Sequence, residues 1–268
     1  HREDVLSRRP AFARVLSRLA HAIDEATMRR LNARAELDGA SFARVADEFL
    51  GRRDRLVRED FLPSLVVAVE RHGPRHLQLV AGALLLSTLL GVPLGALAYA
   101  RPRAGALVLA ATGIVQTIPS LALFCFFIPL LGIGPAPALA ALFLYGLLPI
   151  VRNTHAGLSS IPGDLRLAAV ALGLSPWERM RHVELPIASR TILAGVKTSA
   201  VVSVGSATIA AFIGAGGFGD PISTGLSLND VPTILKGALP AAALALVVQG
   251  AFALVERALV PRGLRREG

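Results

Sequence analysis

The chain has 268 residues, 53% of them hydrophobic, a mean hydropathy of +0.56 and a formal net charge of +9. That is too apolar for an ordinary soluble domain, and the single cysteine, Cys125, excludes an internal disulfide framework and a cysteine-rich metal site. The basic residues lie in short gaps between apolar runs, so they read as membrane-orienting charge and not as a nucleic-acid surface.

Charge density divides the chain. Residues 1–60 hold 13 Arg and 11 Asp plus Glu, whereas residues 61–268 hold only 15 Lys plus Arg and 8 Asp plus Glu. In the polar segment, Phe12, Val15, Leu16, Leu19 and Ile23 recur at helical spacing, and residues 24–33 continue helically. Asp38-Gly39 reads as a turn, and Ser41 starts a further helix with Phe42, Val45 and Phe49 on one face. Two or three such helices cannot bury a core alone and need a surface to pack on. The chain begins at His1 without a Met or a signal-peptide pattern, and reads as a processed or truncated product.

After a linker over 61–76, four stretches lack Asp, Glu, Lys, Arg and His: residues 77–100, 104–151, 198–219 and 237–255. A spanning helix needs about 20 apolar residues. The second stretch is long enough for two helices folded back at 131–137, where Gly and Pro cluster. The expected fold is an all-α membrane protein with five spans, at about 77–100, 104–130, 137–151, 190–214 and 233–255. Arg101 and Arg103 follow the first span, Arg152, Arg166, Arg179, Arg181 and Arg190 the third, and Arg257, Arg262, Arg265 and Arg266 the fifth. The second and fourth gaps offer Asp220 and Asp230. Positive charge marks the cytoplasmic side, which puts the N-terminus outside and the basic 258–268 tail inside.

The cytoplasmic gap at 153–188 is the longest, and it has helix signals. Ile161-Pro162-Gly163 breaks the chain, Asp164 reads as the N-cap of a helix over 165–172, and Gly173 suits the left-handed residue after it. Ser175, Pro176, Trp177 and Glu178 then form a capping-box start, with Leu185-Pro186 as the expected end. Two capped helices held between two spans suit a docking knob better than a bare connector.

Within the apolar body, Gln116, Thr117, Pro119 and Ser120 interrupt the second span, and Ser203, Ser206 and Thr208 lie in the fourth. Such groups face protein or a watery path, so they either line a pathway or bond helix to helix. Gly214, Gly216, Gly217 and Gly219 satisfy a dinucleotide fingerprint literally, but they end an apolar helix and run into Asp220-Pro221. They read as a flexible turn at the outer mouth of the path. Gly91 and Gly95 form a small-xxx-small pattern for close helix packing. The charge-free runs offer no intramembrane ion relay, and the chain has no phosphate loop, catalytic constellation or metal-ligand cluster. The expectation is therefore a transporter that takes its energy from a partner, with no cofactor, an ion-coupled carrier remaining the lesser alternative.

Leu167-Ala168-Ala169, Gly173 and Val183-Glu184-Leu185-Pro186 resemble the "EAA" loop of ABC importer permeases. Residues 116–123 (QTIPSLAL), 144–154 (LYGLLPIVRNT) and 210–220 (AAFIGAGGFGD) are similar to the osmoprotectant branch of that family. The resemblance spans about 76–257. It implies a type I permease fold, two ATPase subunits docked on the loop, a second permease subunit (homo- or heterodimer) and an external substrate-binding protein. It implies alternating access, with cargo such as glycine betaine, choline, carnitine or proline, or another zwitterion such as ergothioneine. Leu167 stands where the family has its leading Glu, so the anionic part of the ATPase contact is missing. Residues 25–50 are similar to the C-terminal tail of the cognate binding protein, which implies a receptor–permease fusion.

Overall fold

The computed structural model describes residues 23–50 and 61–259, and among these every regular element is helical. Among the described residues two compact units emerge, one from residues 23–50 with Gly225–Val231, the other from residues 61–224 with 232–259.

In the first unit, Asp24 accepts the Thr27 amide at 2.8 Å and opens α1, Glu25–Glu36. Residues 24–33 therefore begin a helix instead of continuing one, because a capped Asp satisfies backbone donors that a through-running helix would have bonded itself. The helix expected over 10–23 falls almost wholly outside the described residues. Gly39, at φ +67°, makes the turn. Ser41 then caps α2, Phe42–Phe49, through the Arg44 amide. Ala35 and Val45 are buried, Arg34 bonds both Asp38 and Glu48, and Asn229 donates to the Ala35 carbonyl at 3.2 Å.

The second unit is built around α6, Pro135–Ser159, which packs against both α3, Phe61–Ala100, and α9, Leu185–Ile209. Small residues let these backbones approach. A Cβ on Gly91 would lie 2.8 Å from Ile150 Cγ2, one on Gly95 2.5 Å from Thr154 Cβ, and one on Gly146 2.5 Å from Ser87 Oγ. The close packing expected at Gly91 and Gly95 is thus present. A core of Leu79, Val80, Ala83, Phe124, Leu142 and Val204 fills the crossing.

Among the described residues four helices are long and apolar enough to cross a membrane, or five if a bent pair counts as one span. That pair is α4, Pro102–Thr117, and α5, Ser120–Leu131, which meet at 100°. The sequence suggested one helix over 104–130. Pro119 breaks it, having no amide to donate and restricting Ile118 to the extended conformation seen there. The first helix begins at Phe61, ahead of the charge-free run, so Glu70, Arg71, His72, Arg75 and His76 belong to it. Lys197 likewise sits inside α9, and Lys236 inside α11, Val231–Leu259, which follows the short α10, Gly219–Leu228. The helices therefore carry ionisable groups that the charge-free runs do not. Much of α11 is exposed apolar surface, as expected of a lipid-facing helix.

Candidate functional site

The residues singled out by sequence gather at two ends of the second unit. At one end lies the loop between α6 and α9. The α7 helix, Gly163–Ala171, has Pro162 at its N-cap with no side-chain bond. Asp164 is thus in the first turn and not the cap, because Pro162 already fixes the entry dihedral. Its charge still complements the positive helix end. Gly173 adopts φ +77°, and the Leu174 and Gly173 amides bond Ala169 and Val170 carbonyls at 3.2 and 2.9 Å, closing a Schellman motif.

Ser175 and Glu178 form the full capping box at the start of α8, Pro176–Arg179. The expected stop at Leu185-Pro186 is absent. A π turn, Met180–Glu184, joins α8 to α9, and Pro186 lies in the first α positions after it, where a missing amide disrupts least. His155 lies in α6, not in the loop as its position among the loop residues suggested.

Beneath this loop is a charged knot. Glu184 is fully buried, with Oε1 2.9 Å from Arg179 Nε and accepting from the Tyr99 hydroxyl at 3.3 Å. Arg166 donates to the Leu158, Ser159 and Ile161 carbonyls, and its guanidinium carbon stands 5.3 Å from the Tyr99 ring centroid. The first two carbonyls lie in the last turn of α6 and the third just beyond it, where regular helical partners run out. The knot therefore ties α7, α8 and the π turn to the ends of α3 and α6. A cavity of about 490 Å³ lined by Tyr99, His155, Ser159 and Arg166 opens beside it. Outward, Leu167 and Trp177 are 71% and 70% exposed, and Leu172 is more so. Ala169 is buried and Leu185 packs half-buried against Leu158, Ile161 and Ala188, which leaves Leu167, Leu172 and Trp177, with exposed Ala168, as the projecting apolar surface. Sequence reasoning missed Tyr99, Arg166, Arg179 and Glu184 as a group, because their spacing along the chain carries no pattern.

At the other end α9 passes through a 3₁₀ turn, Ala210–Ile213, into the glycine segment. Gly214, Gly216 and Gly217 hold φ of +76°, +84° and +90°, which only glycine adopts freely. A Cβ on Gly219 would overlap the Thr208 carbonyl oxygen. Helix α3 grips this turn: Arg75 Nε donates to the Ala215 carbonyl at 3.1 Å, and His72 Nδ1 stands 3.5 Å from Asp220. His76, fully buried, lies between the turn and α9. It was overlooked because it marks the border of a charge-free run.

Between the ends, the break in α4–α5 is stitched to α6. Gln116 donates to the Tyr145 carbonyl at 3.1 Å, and the Tyr145 hydroxyl donates to the Ile118 carbonyl freed by Pro119. Thr117 and Thr208 bond their own helices at Ile114 and Gly205. Ser120 and Ser206 are half-buried, and Ser203 is buried. Ser87 and Ser199 converge on Gly146, the Ser87 hydroxyl donating to the Phe143 carbonyl at 2.7 Å. Among the described residues no cluster of His, Cys, Asp or Glu fits a metal ion.

Comparison with known proteins places this geometry. Residues 87–264 match a family described as the binding-protein-dependent transport system inner membrane component. Residues 1–52 match the substrate binding domain of an ABC-type glycine betaine transport system. The chain is 42% identical over 191 residues to a choline transport system permease protein of Bacillus subtilis (strain 168), covering 71% of this chain and 88% of the relative. It is 43% identical over 196 residues to an osmoprotectant import permease protein of Salmonella typhimurium, covering 71% and 91%. Among solved structures, a methionine ABC transporter in an inward-facing conformation aligns at TM-score 0.69 and 22% identity, over 74% of this chain and 99% of that one. An amino acid ABC transporter aligns at TM-score 0.62 and 17% identity, over 77% and 99%.

Proposed function

We propose, for a chain that belongs to the inner-membrane components of binding-protein-dependent transport systems, that its cargo is a quaternary ammonium osmoprotectant such as choline or glycine betaine. The chain is a multi-pass membrane permease of an ABC importer, and ATP hydrolysis belongs to a separate chain. The observation that supports the cargo is the pair of resemblances at the two ends of one polypeptide. The body is over 40% identical to choline and osmoprotectant permeases, and residues 1–52 match a glycine betaine binding domain.

In this reading the 153–188 loop faces the cytoplasm and receives an ATPase subunit. Leu167, standing where the related loops carry a Glu, offers it apolar area together with Leu172 and Trp177, while Ala168, Ala169 and Gly173 keep the helices close. The 214–220 turn is the outer gate, reached by a binding protein or by a fused receptor of which residues 1–52 are the end. A second permease subunit completes the path between them. Gln116, Thr117, Pro119, Ser120, Ser203, Ser206 and Thr208 are candidates for its lining, with Gln116 and Thr117 already engaged in bonds of their own.

The test is uptake of labelled choline, glycine betaine, carnitine, proline and ergothioneine by the complete complex in proteoliposomes. Choline or glycine betaine accumulates only with ATP and the ATPase present. Accumulation of ergothioneine alone overturns the cargo, and uptake without the ATPase overturns the energy source. The loop has its own test: Gly173→Asp, placed at φ +77° with open space around it, abolishes co-purification of the ATPase.

A further inference from the structure

His76 is fully buried, and its two ring nitrogens face different partners. The Phe218 amide points at Nδ1 from 3.4 Å, and an amide can only donate. Nδ1 is therefore the unprotonated nitrogen, Nε2 carries the hydrogen, and it donates to the Val204 carbonyl at 3.2 Å. One imidazole thus spans three elements: α3, which bears it, α9, which supplies Val204, and the glycine turn, which supplies Phe218.

The fit is tight on the turn side. The Phe218 ring stacks on the imidazole with centroids 4.8 Å apart. A Cβ on Gly217 would come within 3.0 Å of Nδ1, so that glycine is needed both for its φ of +90° and for room for the ring. Gly73, one helical turn before His76, leaves space for the Phe218 ring, since a Cβ there would touch Cζ at 3.5 Å. Val204 is a mid-helix residue whose carbonyl already serves its own helix, so the imidazole adds a second bond that can be lost without breaking that ladder. The Phe218 amide has the imidazole as its acceptor in a buried position, and leaving it unmet costs its desolvation.

We propose that His76 is a positioning residue that latches the 214–220 turn shut against α3 and α9, and that the turn opens only when this imidazole releases the Phe218 amide. The proposal rests on reading that turn as a gate. The contacts are hydrogen bonds and ring stacking, which part and re-form without leaving an unpaired charge. The neighbouring Arg75–Ala215 bond and His72–Asp220 pair act beside the latch and orient the turn as it closes.

The test uses the complete complex in proteoliposomes and reads ATP hydrolysis, which needs no knowledge of the cargo. His76→Leu removes donor and acceptor at similar bulk, whereas His76→Gln carries an amide N–H and a carbonyl and can restore both bonds. Background hydrolysis with no solute added rises about fivefold in His76→Leu and returns to near the native rate in His76→Gln. A native background rate in His76→Leu, or equal behaviour of the two variants, overturns the latch. If His76→Leu does not assemble with its ATPase, Gly217→Ala, which presses a methyl on the same nitrogen, is judged by the same criteria. The gate reading is checked separately. In a Cys125→Ser background, His72→Cys and Asp220→Cys are joined by a short bis-methanethiosulfonate, each thiolate displacing a methanesulfinate to form a disulfide. Continued full turnover in the joined protein removes the gate whatever His76 does, whereas arrest with unaltered His76→Leu removes only the latch.

Discussion

The two ends of the permease are held by opposite chemistry. At the loop end a buried carboxylate, two guanidinium groups and a tyrosine fasten three short helical pieces to the ends of α3 and α6. At the glycine end a buried imidazole, ring stacking on Phe218 and the Arg75 bond to a backbone carbonyl hold a glycine-rich turn, with the His72–Asp220 pair open to water beside them. Separating a desolvated ion pair strands charge, and separating neutral hydrogen bonds does not. On the proposed reading, the first end suits a rigid lever and the second a reversible contact. Force from an ATPase needs a lever that does not yield, and cargo entry needs a contact that does.

The largest effect expected is at Gly219. Gly219→Ala drives a methyl into the Thr208 carbonyl, and transport falls to background while the ATPase still co-purifies through the distant loop. Loss of ATPase binding in this variant would merge the two ends and break the comparison. Next is Glu184→Ala, which leaves Arg179 and Tyr99 without their acceptor at a buried position. It costs about 3 kcal/mol, read as a lower unfolding midpoint of the purified complex and as ATP turnover no longer raised by binding protein. Glu184→Gln keeps the acceptor and loses less. Equal losses would show that charge, not shape or the acceptor alone, holds the lever.

Ser175→Ala removes one half of the capping box and costs about 1 kcal/mol, seen as faster amide exchange in 176–184 with assembly intact. The smallest effect lies in the first unit. The Thr27 hydroxyl and amide hold the Asp24 carboxyl below its ordinary range. Its stabilisation of α1 is therefore complete above the ordinary carboxylate pKa, and it fades as pH falls through the lowered folded value. Amide exchange across α1 in the full chain shows this fading, and Asp24→Asn abolishes it.

The apolar runs, the glycine pairs and the capping box were legible because each is local: a run of about 20 residues, a four-residue spacing, a Ser–Glu interval. Gly173 could be assigned its left-handed role from its place after a short helix, and the structure agrees. Asp164 was misread because Pro162 competes for the same cap, and the stop at Leu185-Pro186 failed because a π turn can absorb a proline. The break at Pro119 was visible as a residue but not as a 100° bend, which depends on Tyr145 and Gln116 reaching across to hold it.

By itself the sequence determined that this chain enters a membrane, where its helices begin to be apolar, and which loop is built to project. Those properties follow from transfer free energy and backbone hydrogen bonding within a few turns of chain. Only the tertiary structure decided that Tyr99 meets Glu184 across 85 positions and that His76 meets Val204 and Phe218 across 128 and 142. Such meetings are fixed by how α3, α6 and α9 cross, and a crossing angle is a property of paired surfaces that no single stretch of sequence contains.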